Sequence, residues 1–357
     1  MHISPRVIFV VGNSVQQENA LAVSKHLAAK DAYFLSLWSM AISQEPVDFP
    51  DHTPPVSIGR LYHSLVDSVI WRSDIVVLPQ DLGLLQQIIG KRTKRRGATL
   101  ALMPDGIVSR RANQNGGRLR QIVRRLVYVI MRLMGIIDGQ PGRMGSSRPN
   151  YLFSWGVGWN DALEAASATK TYYFGCPRMD SYGSLALPTH EGRRLLVCSQ
   201  PMWIAAWSRP YADRWYGFLE SLVTDKPSGI ELRLRLHPAE INDPRVPRVV
   251  REAHTDESLL VSLAWANQVA APFSTVLVDA LAAGRAFFLL SADHAFSEIS
   301  SQVPLFADTR VPTCSWSTAS VQQTKTGGLQ MSALRSDYVA MVGKSATNIA
   351  AVLERSI

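Results

Sequence analysis

Short apolar runs with the character of β-strands alternate with helix-like segments from one end of this sequence to the other. RVIFVVG (6–12) precedes the amphipathic ENALAVSKHLAAK (18–30), and the helical LLQQIIGKRTKRR separates DIVVLPQD (74–81) from ATLALMPDG (98–106). Parallel strands need a crossover of a dozen or more residues, usually a helix, so this alternation is typical of parallel sheets. The sequence therefore predicts an α/β fold.

The strand–helix pattern begins again in the second half of the chain. RLLVCSQ (194–200), LRLRLHP (232–238) and AFFLLS (286–291) have strand character, and an apolar strand within 258–274 ends at Phe273. At 357 residues the chain is longer than one ordinary domain. We predict two doubly wound, Rossmann-like domains facing a central cleft, and a closing helix over 336–355 that crosses back to the first domain. The predicted domains are 1–185 and 186–335, followed by 336–357, with a linker at 181–192.

The chain carries 37 lysine and arginine residues against 29 aspartate and glutamate residues, a formal net charge of +8. This excess favours an anionic partner, which could be nucleic acid, a membrane surface or a phosphorylated substrate. Aromatic residues are not interleaved with the basic stretches and no nucleic-acid-binding motif occurs, so we do not expect a nucleic-acid partner.

Cys176, Cys198 and Cys314 are scattered without the spacing of a metal site, which favours a reducing compartment and no structural zinc. The apolar run in the first strand is too short for a signal sequence, and no uncharged apolar run is long enough to span a membrane. We therefore expect a cytoplasmic protein.

Ligands of open parallel sheets bind beyond the carboxyl ends of the strands, where loops and helix N-termini present backbone N–H groups. Residues at the predicted strand ends, most of them polar, are therefore candidates for a site. They are Asn13, Asp81, Asp105, Gly106, Arg178, Ser199, Gln200, Arg235, His237, Pro238, Ser274 and Thr275.

Asp105 follows a predicted strand in LMPDGIVS (102–109). Pro-Asp-Gly is a common turn sequence, so the local pattern alone favours a turn. A carboxylate at a strand end can also act as a general base toward a substrate hydroxyl.

His237 ends the strand in LRLRLHPAE (232–240), on the same face as Arg233 and Arg235 and opposite the leucines. Such a histidine can simply hydrogen-bond a neighbouring carbonyl. However, Pro238 stiffens the strand exit, and an imidazole held beside two guanidinium groups suits an anionic ligand such as a phosphate. We favour this functional interpretation.

Ser274 and Thr275 join an apolar strand to a helix in AAPFSTVLVDALAAG (270–284). Serine and threonine are preferred helix N-caps, which explains the pair without a ligand. Their hydroxyls and the free N–H groups of the helix can also bind an anion, and the two interpretations are compatible.

Five short motifs occur in the order seen in one class of enzymes. The motifs are DG (105–106), SWG (154–156), GCPRMD (175–180), LRLHP (234–238) and STVLVDALAAG (274–284). They resemble those of GT-B glycosyltransferases of bacterial surface polysaccharides, above all the sialyltransferase and Kdo-transferase group, over roughly residues 75–290.

The resemblance implies inverting transfer of an acidic sugar, of sialic acid or Kdo type, from a CMP-activated donor to a hydroxyl of a cell-surface glycan or lipid-linked acceptor. Asp105 would deprotonate the acceptor and His237 would contact the donor phosphate and assist departure of the nucleotide. Ser274 and Thr275 would hold that phosphate, and Arg233 and Arg235 could add positive charge. The remaining candidates divide between the donor side (Ser199, Gln200, Arg235, Pro238, Asp279) and the acceptor side (Asn13, Asp81, Gly106, Arg178). No D-x-D sequence occurs, so we expect no metal cofactor.

Two departures from the family pattern keep alternatives open. Pro104 stands where the pattern has a first acidic residue, and Asp279 stands where a ribose-binding glutamate is common. A GT-B-shaped binding protein without turnover is therefore one alternative. A CDP-glycerol-type polyol-phosphate transferase is another, because teichoic-acid polymerases share the G-x-P-R-x-D and His-Pro parts. A UDP-sugar epimerase would need catalytic carboxylates that the sequence does not assign.

The segment GGRLRQIVRRLVYVIMRLMGII (116–137) combines arginines with a nearly continuous apolar pattern. Arg118, Arg125 and Arg132 recur every seven residues, and KRTKRR (91–96) lies in the same half of the chain. A helix buried on a wide face with a cationic solvent stripe explains the pattern, and so does a helix lying on an anionic membrane surface. A membrane surface is therefore a candidate partner, although KRTKRR by itself is typical of a solvated charge run.

Overall fold

The computed structural model describes most of the chain, in two compact units. The first unit comprises residues 1–180 and 340–357, and the second comprises residues 181–339. Part of the predicted linker at 181–192 and the first two residues of the segment 116–137 lie outside the described residues. The described residues are 5–27, 32–37, 42–43, 70–106, 118–140, 142–186, 192–204, 207–324 and 328–356.

The first unit is built on a sheet whose described strands run mostly parallel. Its elements in chain order are β1 (Val7–Val11), α1 (Ser14–Ser24), β2 (Ala32–Ser36), β3 (Ile42–Ser43), β4 (Ile75–Leu78), α2 (Leu84–Arg95), β5 (Thr99–Leu102), α3 (Arg118–Leu133), β6 (Tyr151–Ser154) and β7 (Lys170–Tyr173). The strand order is β3–β2–β1–β4–β5–β6–β7. The β2–β3 pair is antiparallel and the other pairs are parallel.

The two central strands of this sheet are apolar along their whole length. Every residue of β1 and of β4 is buried. Continuous apolar strands of this kind are required where both faces of a parallel sheet are covered. The strand order reverses between β1 and β4, and such a reversal is where α/β sheets form ligand crevices.

The second unit has a smaller, wholly parallel sheet among its described strands. Its elements are β8 (Arg193–Cys198), α4 (Ala212–Thr224), β9 (Ile230–Arg235), α5 (Arg248–Glu252), α6 (Leu259–Trp265), β10 (Gln268–Ala271), α7 (Val276–Ala282), β11 (Ala286–Ser291), α8 (His294–Ser300), α9 (Pro304–Ala307), β12 (Thr313–Ser315), α10 (Thr318–Gln323) and α11 (Gly328–Tyr338). The strand order is β12–β11–β10–β8–β9, which reverses between β8 and β10. The apolar segment 258–274 therefore contains a helix, α6, before its strand.

The closing segment, predicted as one helix over 336–355, is two helices. Helix α11 ends at Tyr338, and α12 begins again within the first unit as Ser345–Glu354. Between them Met341 and Gly343 have φ angles of 49° and 91°, which a right-handed helix does not contain. Residues of α12 such as Ile349 and Leu353 pack in the apolar core of the first unit with the strands β1 and β4.

Asp180 holds the start of α12. Its Oδ1 accepts hydrogen bonds from the N–H groups of Gly343 (2.8 Å) and Ser345 (3.0 Å), and its Oδ2 accepts one from Ala346 (2.8 Å). We expect Asp180→Ala to lower the free energy of unfolding by about 2 kcal/mol, because helix N–H groups lose their acceptor. Urea unfolding measures this loss, and Asp180→Asn, which keeps one acceptor oxygen, should lose less. Equal stability of Asp180→Ala and the wild type would contradict this capping role.

Candidate functional site

In the first unit, residues from three different strand ends lie around the carboxylate of Asp105. Gln16 Nε2 donates a hydrogen bond to Asp105 Oδ2 (2.8 Å), and the Asn13 side chain supplies another. Arg178, which follows β7, places a positive charge near the same carboxylate. The structure thus brings together the predicted residues Asn13, Asp105 and Arg178.

Gln16 belongs to this cluster although strand-end reasoning does not identify it. Its Oε1 accepts the Gly12 N–H (2.7 Å), and this contact fixes the amide so that Nε2 faces Asp105. Asn13 is the N-cap of α1, and its Oδ1 accepts the Gln16 N–H (2.9 Å). Asn followed three residues later by Gln is a form of the capping-box pattern. This pattern is the signal in the sequence that identifies Gln16.

Asp105 is a partly buried carboxylate whose pKa is shifted by its surroundings. Burial raises its pKa above the usual value, while the hydrogen bonds from Gln16 and Asn13 and the charge of Arg178 oppose that change. Trp155 Nε1 donates to the Pro104 carbonyl (3.0 Å) and holds the loop. A Cβ atom added at Gly106, the next residue, would meet none of the described atoms within 4 Å. A carboxylate with a raised pKa is a candidate for proton transfer.

Asp81, predicted on the acceptor side, instead holds a loop inside the unit. Its side chain is fully buried, and its Oδ1 and Oδ2 accept the N–H groups of Gly145 and Ser147, each at 2.8 Å. Burial raises the pKa of this carboxyl, and the hydrogen bonds from Ser147 and Gly145 lower it by less. Because both oxygens are occupied and shielded, this placement does not support a contact between Asp81 and a substrate.

The GCPRMD motif is mainly structural. Gly175 has φ +84° and approaches the Ala340 carbonyl so closely that a Cβ would lie 2.1 Å from the oxygen, which explains the glycine. The Arg178 N–H donates to Asn19 Oδ1 (3.0 Å), and Asp180 caps α12 as described above. Within this motif, the charge of Arg178 near Asp105 is the feature that concerns the candidate site.

In the second unit, His237 lies at the exit of β9 in a turn closed by its own side chain. His237 Nδ1 accepts the Ala239 N–H (3.1 Å), and the His237 carbonyl accepts the Glu240 N–H (2.7 Å). A backbone N–H can only donate, so Nδ1 is unprotonated and the ring hydrogen is on Nε2. Burial lowers the pKa of His237, which also favours this neutral form. The ring is therefore a neutral donor through Nε2–H.

Glu240 anchors the His237 turn and is the residue that sequence reasoning missed here. It is fully buried, and its Oε2 accepts the His237 N–H (2.9 Å). Its Oε1 accepts hydrogen bonds from the hydroxyls of Ser199 (2.9 Å) and Tyr216 (2.6 Å). Burial raises the pKa of Glu240, and the hydrogen bonds from these three donors lower it by less. A glutamate three residues after a capping residue is again the capping-box signal.

We expect Glu240→Ala to lower the free energy of unfolding by about 3 kcal/mol, because the buried Ser199 and Tyr216 hydroxyls and the half-buried His237 N–H lose their acceptor. Glu240→Gln should lose less than half of that. One amide oxygen can still accept the His237 N–H, and the two hydroxyls can turn to accept from the amide nitrogen. Urea unfolding of both variants measures the difference. Equal losses in the two variants would show that Glu240 acts through its volume rather than its acceptor atoms.

Beside the His237 turn, the ends of β8 and β10 meet at the point where the strand order reverses. Gln200 Nε2 donates to Ser274 Oγ (2.7 Å), and Ser274 Oγ also accepts the Val276 N–H (3.3 Å). Ser274 is 2% exposed, whereas Thr275 is partly exposed and its side chain makes no cap hydrogen bond to α7. The predicted donor-side residues Ser199, Gln200, Ser274 and Thr275 thus share the reversal point of this sheet.

Arg233 and Arg235, predicted to add positive charge beside His237, bind another segment. Arg233 Nη1 donates to Glu257 Oε1 (2.6 Å) and its guanidinium lies 4.2 Å from the ring centre of Trp265. Arg235 Nη1 donates to the Glu257 carbonyl. The structure therefore does not support their role at a phosphate, because a nearby carboxylate and carbonyl already engage both guanidinium groups.

Asp279 is also placed differently from the prediction. It lies in α7 and is 1% exposed. Burial raises the pKa of the neighbouring Cys198 thiol to about 12, and the charge of Asp279 adds to that rise. A buried carboxylate does not support a contact with a ribose. Pro238, by contrast, is exposed at the turn after His237.

Comparisons with known proteins connect this architecture to a fold class. No protein family matches the chain, and no curated protein matches its sequence. A variant of the wall teichoic acid polymerase TagF matches in fold with a TM-score of 0.57 and 11% identity, over 98% of this chain and 88% of that one. A UDP-N-acetylglucosamine 2-epimerase from Listeria monocytogenes, described as putative, matches with a TM-score of 0.57 and 12% identity. The match covers 98% of this chain and 95% of that one. The S. aureus MnaA–UDP structure matches with a TM-score of 0.53 and 10% identity, over 97% of this chain and 95% of that one.

These similarities, with the two doubly wound units, show that the chain has an α/β fold of the GT-B type, which confirms the predicted fold class. At such low identity these similarities show a shared fold and not a shared activity, since one fold hosts many activities. None of the three structures is a sialyltransferase or a Kdo transferase, so the narrower resemblance stays a prediction. No helix among the described residues is long and apolar enough to cross a membrane.

Proposed function

We propose that this protein is a metal-independent GT-B transferase that moves an acidic sugar, of sialic acid or Kdo type, from a CMP-linked donor to an acceptor hydroxyl. The observation that carries the proposal is the His237 turn. The Ala239 N–H donates to the ring at Nδ1 and the Glu240 carboxylate accepts the His237 backbone N–H, so a neutral ring presents Nε2–H as a donor at the exit of β9. A fixed donor at a strand end is suited to a phosphate oxygen that gains negative charge as a bond breaks.

In the proposed reaction, the acceptor oxygen attacks the anomeric carbon of the sugar while the bond from that carbon to the phosphate oxygen breaks. The electron pair leaves with CMP, and the His237 Nε2–H bonds to the departing phosphate without transferring its proton. The proton of the acceptor hydroxyl passes to Asp105, whose raised pKa suits that role. Attack opposite the leaving group inverts the anomeric configuration.

A second candidate is transfer of a polyol phosphate from a CDP-glycerol-type donor. The fold similarity to TagF, with the shared G-x-P-R-x-D and His-Pro parts of the sequence, favours it. In that reaction the acceptor oxygen attacks the phosphorus that bears the polyol, and CMP again leaves with the electron pair. Both candidates assign His237 to the departing CMP, so they differ in donor and not in leaving group.

A donor panel tests the proposal. The protein is incubated with CMP-sialic acid, CMP-Kdo, CDP-glycerol and UDP-N-acetylglucosamine, with acceptors and EDTA, and the released nucleotide is measured. CMP from either acidic-sugar donor supports the first candidate, and CMP from CDP-glycerol alone supports the second. Conversion of UDP-N-acetylglucosamine to its epimer overturns both.

Thermal shifts with CMP, CDP, UDP and GDP separate an enzyme from a binding protein. A ligand that binds the native state raises its stability according to concentration and affinity. We expect CMP or CDP to raise the melting temperature more than UDP or GDP. Stabilisation by CMP without product from any donor and acceptor would favour a GT-B binding protein without turnover.

A further inference from the structure

Helix α3 presents its apolar side chains away from the unit that carries it. Six aliphatic side chains are between 46% and 83% exposed: Ile122, Leu126, Val129, Ile130 and Leu133 in the helix, and Met134 directly after it. At about 100° per residue they fall within an arc of about 140° on the helix surface. In a globular protein such an apolar stripe normally faces the core. In α3 the apolar stripe is exposed instead.

The opposite side of α3 attaches it to the first unit. Tyr128, only 6% exposed, lies across the helix from the apolar arc and packs with Ile88 and Ile137. Just beyond the helix, Arg95 Nη2 donates to the Gly135 carbonyl (2.7 Å). Lys91 and Lys94 each lie 2.5 Å from Asp138. The helix is therefore fixed in place without using its apolar face.

The helix sequence Arg118–Leu133 contains five arginines and no acidic residue. This charge decides between occupants of the exposed face. A second copy of the chain would bring two such cationic helices together, which like charges oppose. An anionic lipid surface accepts the apolar side chains and neutralises the arginines as well.

We propose that α3 is a membrane-docking helix that lies along an anionic bilayer surface with its Ile122–Met134 face in the acyl region. Its 16 residues measure about 24 Å, and its arginines make it suited to lying on the surface rather than crossing it. This inference is independent of the proposed reaction, because it rests on exposed apolar area and charge alone.

Vesicle flotation tests it with the full chain and no nucleotide donor present. We expect the wild type to bind vesicles of phosphatidylcholine with phosphatidylglycerol at least about tenfold more strongly than vesicles of phosphatidylcholine alone. Leu126→Glu with Ile130→Glu should lower partitioning at least about tenfold, because two inserted aliphatic side chains become anionic. Arg132→Gln should lower it about fivefold, the contribution of one cation near an anionic surface.

Ile204→Glu is the matched control, since Ile204 is an equally exposed aliphatic residue (62%) in the second unit, and it should bind as the wild type does. Urea unfolding of each variant verifies that the exposed substitutions leave the fold intact. Absence of wild-type binding to anionic vesicles overturns the proposal, as does full binding by the double variant. A wild-type dimer that the double variant converts to a monomer, without vesicle binding, assigns the face to a second copy instead.

Discussion

His237→Asn should lower the rate of CMP release about 100-fold to 1,000-fold, the range expected when a donor to a developing oxyanion is lost. Asparagine Oδ1 can still accept the Ala239 N–H, which His237 Nδ1 accepts in the wild type. The turn is therefore kept, but no N–H remains at the Nε2 position. Initial-rate measurements with the donor identified in the panel give the loss, and urea unfolding verifies the fold.

Two further variants sharpen this result. His237→Gln can place an amide N–H near the former Nε2 and should recover part of the rate that His237→Asn loses. His294→Asn removes an exposed histidine of the same unit and should leave the rate unchanged. More than half of the wild-type rate in His237→Asn would remove His237 from the reaction.

The pH dependence of stability provides a separate test of the neutral ring. Burial lowers the pKa of His237, so between that pKa and the usual value near 6.5 the unfolded chain binds more protons than the folded chain. The free energy of unfolding therefore rises with pH in this window, and the contribution is lost as pH falls through the lowered pKa. His237→Asn should show a smaller rise between pH 5 and pH 8 than the wild type. An equal rise would mean that His237 does not titrate differently in the two states.

The fold class was predictable because parallel sheets impose a long-range pattern on the sequence. Strands such as β1 and β4 are buried at every residue, so they appear as continuous apolar runs between helical segments. The break between α11 and α12 was not predictable from apolar spacing. It depends on the left-handed residues Met341 and Gly343 and on Asp180, which lies far away in the sequence.

Part of the candidate site followed from topology, and part depended on partners that no local pattern reveals. Asn13, Asp105 and Arg178 meet because parallel strands end at one edge of a sheet. Asp81 also follows a strand, yet the N–H groups of a loop more than sixty residues later occupy it. Alternation correctly separated Arg233 and Arg235 from the leucines of β9, but it could not show that Glu257 would bind both.

Gln16 and Glu240 were missed for the same reason. Each lies three residues after a predicted site residue, and each reaches back to a backbone N–H, Gly12 for Gln16 and His237 for Glu240. This is a capping arrangement, which sequence analysis normally treats as structural. Here Gln16 also donates to the Asp105 carboxylate, and Glu240 fixes the backbone of the His237 turn, so such capping residues can belong to a site as well as to a helix or turn.

Asp105→Asn should lower the rate of CMP release with an acceptor about 1,000-fold, because asparagine cannot take a proton from the acceptor hydroxyl. Its Oδ1 can still accept the hydrogen bond from Gln16 Nε2, so we expect the loop and the affinity for CMP to be retained. Rates and thermal shifts with CMP measure the two effects separately. Glu18→Gln removes an exposed carboxylate from α1 and should have no effect on either.

The pH profile distinguishes a base from a residue that only shapes the loop. Asp105 must be ionised to act, and its pKa is raised by burial and lowered by the Gln16 hydrogen bond, so the rate should fall as pH drops through that pKa. Gln16→Leu removes the lowering hydrogen bond and should move this acid limb to higher pH, with little change in the rate at the plateau. An unmoved limb in Gln16→Leu, together with a rate in Asp105→Asn near that of the wild type, would assign Asp105 to the Pro-Asp-Gly turn alone.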